Sequence, residues 1–158
     1  MILHNEESTA PRGTVSDVLA AKSTAIHSIA PGATVYEAVE RMDELRVGAL
    51  VVLGDDGRLV GIISERDYTR KVILLGRASR ETRVDEIMTS HVLVVNPSTS
   101  LGECLTMVTE RHIRHLPVVE DGRVVGMVSI GDLVRAIVDQ QAETIQSLSS
   151  YIGSDYPQ

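Results

Sequence analysis

The clearest pattern of apolar and polar positions begins at Thr34. Val35, Ala38, Val39 and Met42 follow it at i, i+3, i+4 and i+7 spacing, with polar residues between them. This spacing places the four apolar side chains on one face of a helix. Thr at the preceding position is a favoured N-cap. The pattern therefore predicts an amphipathic helix whose apolar face lies on a core.

Short apolar runs on either side of this helix predict strands. Ala49–Leu53 is an uninterrupted apolar run, Asp55-Asp56-Gly57 is typical of a hairpin turn, and Arg58–Ser64 is the returning strand. Before the amphipathic helix, Val15–Ala20 predicts a short helix and Ile26–Ile29 a further strand. Because a second amphipathic run follows Ser64, the predicted unit is strand, helix, strand, strand, helix.

The second half of the chain repeats this unit. Leu101, Cys104, Leu105 and Val108 lie at helical spacing, which predicts that Cys104 is a core residue. Two copies too small to be stable alone are expected to pack about a pseudo-twofold axis, so that their equivalent loops meet in a cleft. Other corresponding pairs are Val15 and Val84, Pro31 and Pro97, Leu50 and Leu116, Val52 and Val118, and Arg70 and Arg135.

One stretch of seven residues occurs in both halves. Its copies run from Gly61 to Asp67 and from Gly126 to Asp132, and both read G-x-x-S-x-x-D. In each copy a strand runs directly into a helix, whose first N–H groups and dipole favour an anion such as a phosphate. An alternative is a capping box, in which Ser and Asp only satisfy the first backbone N–H groups of the helix.

Charge and composition narrow the choice of ligand. The formal net charge of −7 and the absence of Trp and Phe argue against binding to nucleic acid. Basic residues are nevertheless in excess between Ser64 and Arg83, beside the first copy of the motif. A small phosphorylated ligand would suit that local charge.

The chain shows no apolar run of transmembrane length and no basic start followed by an apolar stretch. Neither a membrane partner nor a secretory signal is therefore predicted. Cys104 is the single cysteine, so an internal disulfide is excluded, which fits a reducing compartment. A cytoplasmic location is the resulting prediction.

Taken together, these residues resemble a tandem pair of cystathionine-β-synthase (CBS) domains. The resemblance depends on the two repeated units, the Asp-Gly hairpins, the Leu116–Val119 strand and the doubled G-x-x-S-x-x-D. It implies an α/β fold of two CBS repeats about a pseudo-twofold axis. The predicted divisions are a loose tail over 1–13, repeat one over 14–76, a linker over 77–83, repeat two over 84–139, and a helical extension and tail over 140–158.

The resemblance also implies a function, that of a stand-alone regulatory module without catalytic activity. Such modules bind adenosine-containing ligands (AMP, ATP or NAD) in the cleft between their repeats, form homodimers and signal to an effector protein. Asp of the motif takes the ribose hydroxyls, Ser and nearby basic residues take phosphate, and aliphatic side chains hold adenine. The predicted ligand-binding residues are Lys22, Ser64, Arg66, Asp67, Arg114, His115, Leu116, Pro117, Ser129 and Asp132.

Both copies of the motif keep Ser and Asp, so both sites are predicted to be competent. They are not alike, because Ile130-Gly131 stands where the first copy has Glu65-Arg66. Alternatives are a structural module whose cleft is empty, and a nucleotide-processing enzyme. No G-x-S-x-G turn supports a hydrolase, and His112 and His115 lack the spacing and companions of a metal site.

The final helix is predicted to run from Ser129 past Asp139, beyond the repeat. Its apolar positions continue near heptad spacing, which favours packing against a partner chain. The alternative is a helix that lies on its own domain. These positions are Val134, Val138, Gln141, Ile145, Leu148 and Ile152.

Overall fold

The structure is a computed structural model that describes residues 10–23 and 25–154. Most of the predicted loose tail, residues 1–9, therefore lies outside the described residues, as do Thr24 and the side chain of Ile152. The elements, in chain order, are α1 (Val15–Ala20), β1 (Ser28–Ile29), α2 (Val35–Leu45), β2 (Ala49–Leu53), β3 (Leu59–Ser64), α3 (Glu65–Tyr68), a π-helical turn (Thr69–Ile73), α4 (Val84–Ile87), α5 (Leu101–Arg111), β4 (His115–Glu120), β5 (Arg123–Ser129) and α6 (Ile130–Ser154).

The first repeat forms a three-stranded sheet in the order β1-β2-β3. β1 pairs parallel with β2, and β2 pairs antiparallel with β3. β1 is shorter than the predicted strand Ile26–Ile29, because only Ser28 and Ile29 pair with β2, opposite Val51 and Val52. Ile26 is exposed and lines a cavity. The prediction of α2 is confirmed, and Thr34 Oγ1 accepts the cap hydrogen bond from Glu37 N at 3.1 Å.

The second repeat forms only a two-stranded sheet, β4 with β5. The strand expected before α5 is reduced to an isolated parallel bridge between Val95 and Val118. Of the apolar residues there, Val95 is buried whereas Leu93 and Val94 are exposed. Pairing with the sheet therefore accompanies the burial of only one of these side chains. Cys104 is fully buried in α5, which confirms its prediction as a core residue.

The hydrophobic cores do not coincide with the sequence repeats. Val15 and Val18 of α1, from the first repeat, are buried in the core of the second repeat. Val84 and Ile87 of α4, from the second repeat, are buried in the core of the first. Each short helix thus crosses to the other unit, and the exchange brings the segment after α1 beside α6.

Backbone hydrogen bonds hold both exchanged helices in place. Val15 N donates to Thr99 O at 2.9 Å, and the equivalent Val84 N donates to Ala33 O at 2.8 Å. Leu101 N donates to Gly13 O, and the side chain of Gln140 bonds both the N–H and the C=O of Arg12. At the end of the predicted tail, the backbone of Arg12 is thus bonded to α6 and that of Gly13 to α5, while the predicted divisions of the chain stay a prediction.

The Gly of each motif lets an exchanged helix approach the sheet. A Cβ built on Gly126 would lie 2.7 Å from Leu19 Cδ2, and one built on Gly61 would lie 2.5 Å from Met88 Sδ. Both separations are shorter than van der Waals contact. Gly at these positions is therefore explained by packing and not by the ligand.

Candidate functional site

Each copy of the motif forms a capping box at the start of its helix. Ser64 Oγ accepts from Asp67 N at 3.2 Å, and Asp67 Oδ2 accepts from Ser64 N at 3.0 Å. Ser129 and Asp132 make the same pair of hydrogen bonds, at 3.2 and 2.9 Å. The capping boxes of the alternative interpretation are thus present in the structure. Any ligand must bind to a motif that is already ordered by its own hydrogen bonds.

The next helix N–H is also satisfied in both copies. Glu65 N donates to Gly48 O at 3.0 Å, and Ile130 N donates to Arg114 O at 2.9 Å. These bonds tie each helix start to the residue before β2 or β4. The predicted phosphate site at the helix start therefore has fewer free N–H groups than an isolated helix end would offer.

Asp132 is held by a lysine from the exchanged segment. Lys22 Nζ donates to Asp132 Oδ2 at 2.8 Å and to Met127 O at 2.9 Å. The other oxygen, Oδ1, accepts no hydrogen bond within the described residues, and Arg135 Nη1 forms an ion pair with it at 3.6 Å. Asp132 therefore keeps one oxygen available, although its side chain is only 10% exposed.

The pKa of Asp132 is lowered from its ordinary value. Burial acts to raise it, but the hydrogen bonds from Lys22 and from the backbone of Ser129, with the charge of Lys22, outweigh that effect. Asp132 is thus ionised at neutral pH. A carboxylate in this state accepts hydrogen bonds from hydroxyl groups.

Asp67 differs because both of its oxygens are engaged. Oδ1 accepts from Lys71 Nζ at 2.9 Å and from Thr89 Oγ1 at 3.4 Å. Oδ2 accepts from the N–H and the hydroxyl of Ser64, each at 3.0 Å. The asymmetry expected between the two motifs is therefore present, and in the described residues its cause lies in the partners of the two carboxylates.

A cavity of about 280 Å³ lies between the repeats, beside the second motif. It brings together three predicted site residues, Lys22, His115 and Ser129, with Gly48 and Ala49 of the first repeat. Apolar walls face these polar groups, and both repeats contribute to them. They are formed by Leu19, Ile26, Val47, Val51, Val124 and Met127.

His115 lies directly opposite Ser129 in the β4–β5 ladder. Its pKa is lowered by burial first and then by the charge of Arg114, which together outweigh the opposing effect of Asp132. The imidazole is therefore neutral at pH 7. It presents one donor and one acceptor to the cavity.

The remaining predicted site residues do not line this cavity. Arg66 Nη1 donates to His112 O at 2.7 Å, Arg114 is exposed, and Leu116 and Pro117 are buried within β4. Leu116 belongs to the core of the second repeat. Ser64 and Asp67 lie at the first motif, and Asp132 lies behind Lys22, in a separate groove beside α6. For all of these residues, contact with a ligand stays a prediction.

Arg46 and His27 line the cavity, and the sequence interpretation missed both. Arg46 ends α2 in the left-handed conformation, with a φ of 55°. Nothing in the periodicity of the chain marks these residues. The only signal is positional, since Arg46 caps the end of α2 three residues before β2, as His112 caps the end of α5 three residues before β4.

A second, open groove runs between α1 and α6, which we call the α6 groove. Lys22 borders both the cavity and this groove. The charged residues that line the α6 groove are Arg12, Asp17, Lys22, Asp132, Arg135, Asp139 and Glu143. The Lys22–Asp132 pair therefore separates the apolar cavity from a polar surface on α6.

Within residues 10–23 and 25–154, no group of three or more His, Cys, Asp or Glu side chains is placed to hold a metal ion. Across the same part of the chain, no helix has the length and apolar character needed to cross a membrane.

The fold, the doubled motif and the cleft define a pair of CBS domains. The CBS domain family matches residues 15–73 and 84–139, and the chain belongs to this family. The mitochondrial CBS domain-containing protein CBSX3 of Arabidopsis thaliana is 42% identical over an alignment of 159 positions, which covers 96% of this chain and 77% of the relative. Because that relative is mitochondrial, the cytoplasmic location stays a prediction.

Solved structures agree with this assignment. A putative signal-transduction protein with CBS domains from Burkholderia ambifaria is 44% identical, with a TM-score of 0.78 over 82% of this chain and 96% of that one. The CBS domain pair of protein MJ0100, in complex with 5′-methylthioadenosine and S-adenosyl-L-methionine, is 24% identical. Its TM-score is 0.73, over 82% of this chain and 99% of that one. At that identity the likeness concerns the fold.

Proposed function

We propose that this CBS pair is a regulatory module that binds an adenosine-containing ligand in the cavity beside the second motif. The observation that carries the proposal is the composition of the cavity. Apolar walls from both repeats suit a purine ring, and Lys22, His115 and Ser129 meet at its polar side. Small-molecule sites commonly combine apolar walls with a few convergent polar groups in this way.

The size of the cavity favours one ligand class among those considered. A volume of about 280 Å³ is at the lower end of the range for small-molecule sites. It suits a single nucleoside unit, as in AMP, better than the two units of NAD. The pair of MJ0100 shows that this fold accommodates adenosine compounds, and the residues of the present chain support the specific assignment.

Asp132 is the proposed acceptor for the ribose hydroxyls. Its Oδ1 accepts no hydrogen bond within the described residues, and it is ionised at neutral pH. Asp132 lines the α6 groove and not the cavity, and Lys22, which lines both, joins the two. Lys22 Nζ is then placed to contact a phosphate. A ribose site at Asp67 requires its oxygens to exchange Lys71 and Thr89 for ligand hydroxyls. We therefore propose that the second motif binds more tightly than the first.

Titration calorimetry with AMP tests this proposal. Asp132→Asn is expected to weaken AMP binding at least about tenfold, since a hydrogen bond to a charged group contributes about 1.5–3 kcal/mol. Asp67→Asn is the matched control, because it alters the equivalent capping box and is expected to leave this tighter site intact. AMP binding that is unchanged in Asp132→Asn would refute the assignment of the site. Absence of binding of any adenosine compound to the native chain would refute the proposed function.

Exposed apolar residues support a homodimer as part of the same proposal. Ile73, Leu74 and Leu75 are 56%, 72% and 68% exposed after the first motif, and Val134 and Val138 are about half exposed after the second. Exposed apolar patches mark interaction sites, and we assign these residues to the dimer interface. Light scattering is expected to give about twice the chain mass of 17.2 kDa, and the dimer is proposed to pass the state of the cavity to an effector protein.

A further inference from the structure

The last helix, α6, extends well beyond the CBS fold. It spans 25 residues, whereas the family match ends at residue 139. Every residue from Gln141 to Ser150 is exposed, while Leu133, near the start of α6, is fully buried. Within the described chain the extension is therefore only lightly packed, with Glu143 at the border of the α6 groove. Isolated helices of this length are marginal in water, so packing against a partner would stabilise it.

One face of α6 carries a heptad seam. Val134, Val138, Ile145 and Leu148 are 51%, 55%, 63% and 57% exposed, and Gln141 lies between them. The steps alternate between four and three residues, so the five side chains fall on one face at roughly 100° per residue. Leu133, which packs on the body, lies about 100° away from the centre of that face. The seam is thus open even where α6 lies on its own domain.

The residue types on the seam select a particular partner. Val138 and Ile145 occupy a positions and Leu148 a d position, and in parallel coiled coils β-branched residues at a with Leu at d favour two strands over three or four. The polar Gln141 at d faces its own copy only when two helices run parallel and in register. A second copy of α6 can therefore pair with every side chain of the seam.

The charges are compatible with self-association. Ala142, Thr144 and Ser149 occupy the e and g positions that flank the seam in the extension, and all are uncharged. The acidic residues Asp139 and Glu143 occupy b and f positions, away from it. Two copies of a chain with a net charge of −7 therefore meet along this line without like-charge repulsion.

We propose that the α6 extensions of two copies form a parallel, in-register two-stranded coiled coil. This inference rests on the homodimer of the proposed function and adds its geometry. The two CBS pairs then lie side by side in the same direction, and the second motif of one copy neighbours the second motif of the other. Asp132 lies in the first turn of α6, the helix that joins the two copies.

Cysteine crosslinking of the full chain tests the orientation. Leu148→Cys is expected to form an intermolecular disulfide under mild oxidation, because d positions face each other in a parallel coil. Ser150→Cys, two residues away on the opposite face, is the matched control and is expected to crosslink far less. The native chain provides a blank, because Cys104 is buried. In an antiparallel pair, whose layers join a to d so that position 141 lies opposite position 138 of the other copy, the two 148 positions would be roughly 25 Å apart.

The outcomes separate this inference from the rest of the proposal. A dimer by light scattering in which Leu148→Cys does not crosslink, or in which Ser150→Cys crosslinks equally, overturns the parallel coil but not the nucleotide site. A monomer overturns both the coil and the dimer, while AMP calorimetry independently tests the cavity. Ile145→Asp is expected to raise the dimer dissociation constant at least tenfold. Gln146→Asp, at an outward b position, is expected to leave it unchanged.

Discussion

Lys22 Nζ lies 2.8 Å from Asp132 Oδ2, across the junction between the two sequence repeats. The contact exists because α1 is packed in the core of the second repeat. It holds an ionised carboxylate at the start of α6, beside the cavity. The proposed site is therefore built from an exchanged segment and not from either repeat alone.

Replacement of this lysine should change the acid stability of the protein. The pKa of Asp132 is lowered by Lys22 and Ser129, so its stabilising contribution is present above the ordinary Asp pKa of about 3.9 and is lost as the pH falls through the folded value. Lys22→Met removes the largest lowering contribution. The variant is expected to have a higher Asp132 pKa and to be less stable at neutral pH by about 1 kcal/mol.

Urea unfolding between pH 3 and pH 7, with NMR titration of the Asp132 carboxyl, measures both effects. Arg58→Gln is the control, because the Arg58–Asp56 contact of 3.8 Å joins two exposed side chains and such pairs contribute little. An Asp132 pKa that is the same in Lys22→Met and in the native protein would contradict the assigned role of Lys22.

His115 gives a second pH dependence, at higher pH. Because burial lowers its pKa in the folded protein, the folded state binds fewer protons than the unfolded chain, whose His titrates near 6.5. The free energy of unfolding is thus at its full value above that pH and decreases as the pH falls below it. His115→Gln is expected to show a smaller loss between pH 7.5 and pH 5.5. An imidazole that titrates at or above 6.5 by NMR would contradict this prediction.

The two motif glycines should respond differently to substitution. A Cβ at Gly61 would lie 3.0 Å from the backbone oxygen of Thr89, which bonds Ile62 N and cannot turn away, whereas a Cβ at Gly126 meets the mobile end of Leu19. Gly61→Ala is expected to destabilise by about 1–3 kcal/mol, and Gly126→Ala by less.

Chemical denaturation ranks these glycine variants. Gly102→Ala, where a Cβ meets nothing closer than 3.7 Å, is the control and is expected to cause no loss. The packing explanation would fail if Gly126→Ala were the more damaging of the two motif substitutions.

Substitutions of Arg46 and Arg66 are expected to affect phosphate recognition differently. Arg46 lines the cavity, while Arg66 Nη1 is bonded to His112 O. Arg46→Gln is expected to weaken AMP more than adenosine, by about twofold to fivefold, since an exposed ion pair contributes about 0.2–1 kcal/mol. The difference should shrink as salt is added.

Arg66→Gln is the matched variant in the same calorimetric series. It is expected to leave the ratio of AMP to adenosine affinity unchanged. A selective loss of AMP in Arg66→Gln, with none in Arg46→Gln, would reverse the assignment and support the phosphate role that the basic segment around Arg66 suggested from sequence.

The sequence by itself determined the fold family and the helices and strands with clear periodicity. The spacing of Val35 to Met42 predicts α2, and the repeated G-x-x-S-x-x-D predicts two strand-to-helix junctions with capping residues. These features are local, because a helix or a hairpin depends on residues only a few positions apart. The heptad steps from Val134 to Leu148 belong to the same class, and so does the burial of Cys104.

Only the tertiary structure decided which residues share a site. The exchange of α1 and α4 between the cores places Lys22 on Asp132, puts Arg46 at the cavity, and leaves Leu116 in the core. None of these contacts follows from spacing, since the partners are far apart in sequence and the exchange depends on how Val15 and Val84 are buried. The difference between Asp67 and Asp132 was decided in the same way, because identical motifs acquired different partners, Lys71 with Thr89 at one and Lys22 at the other.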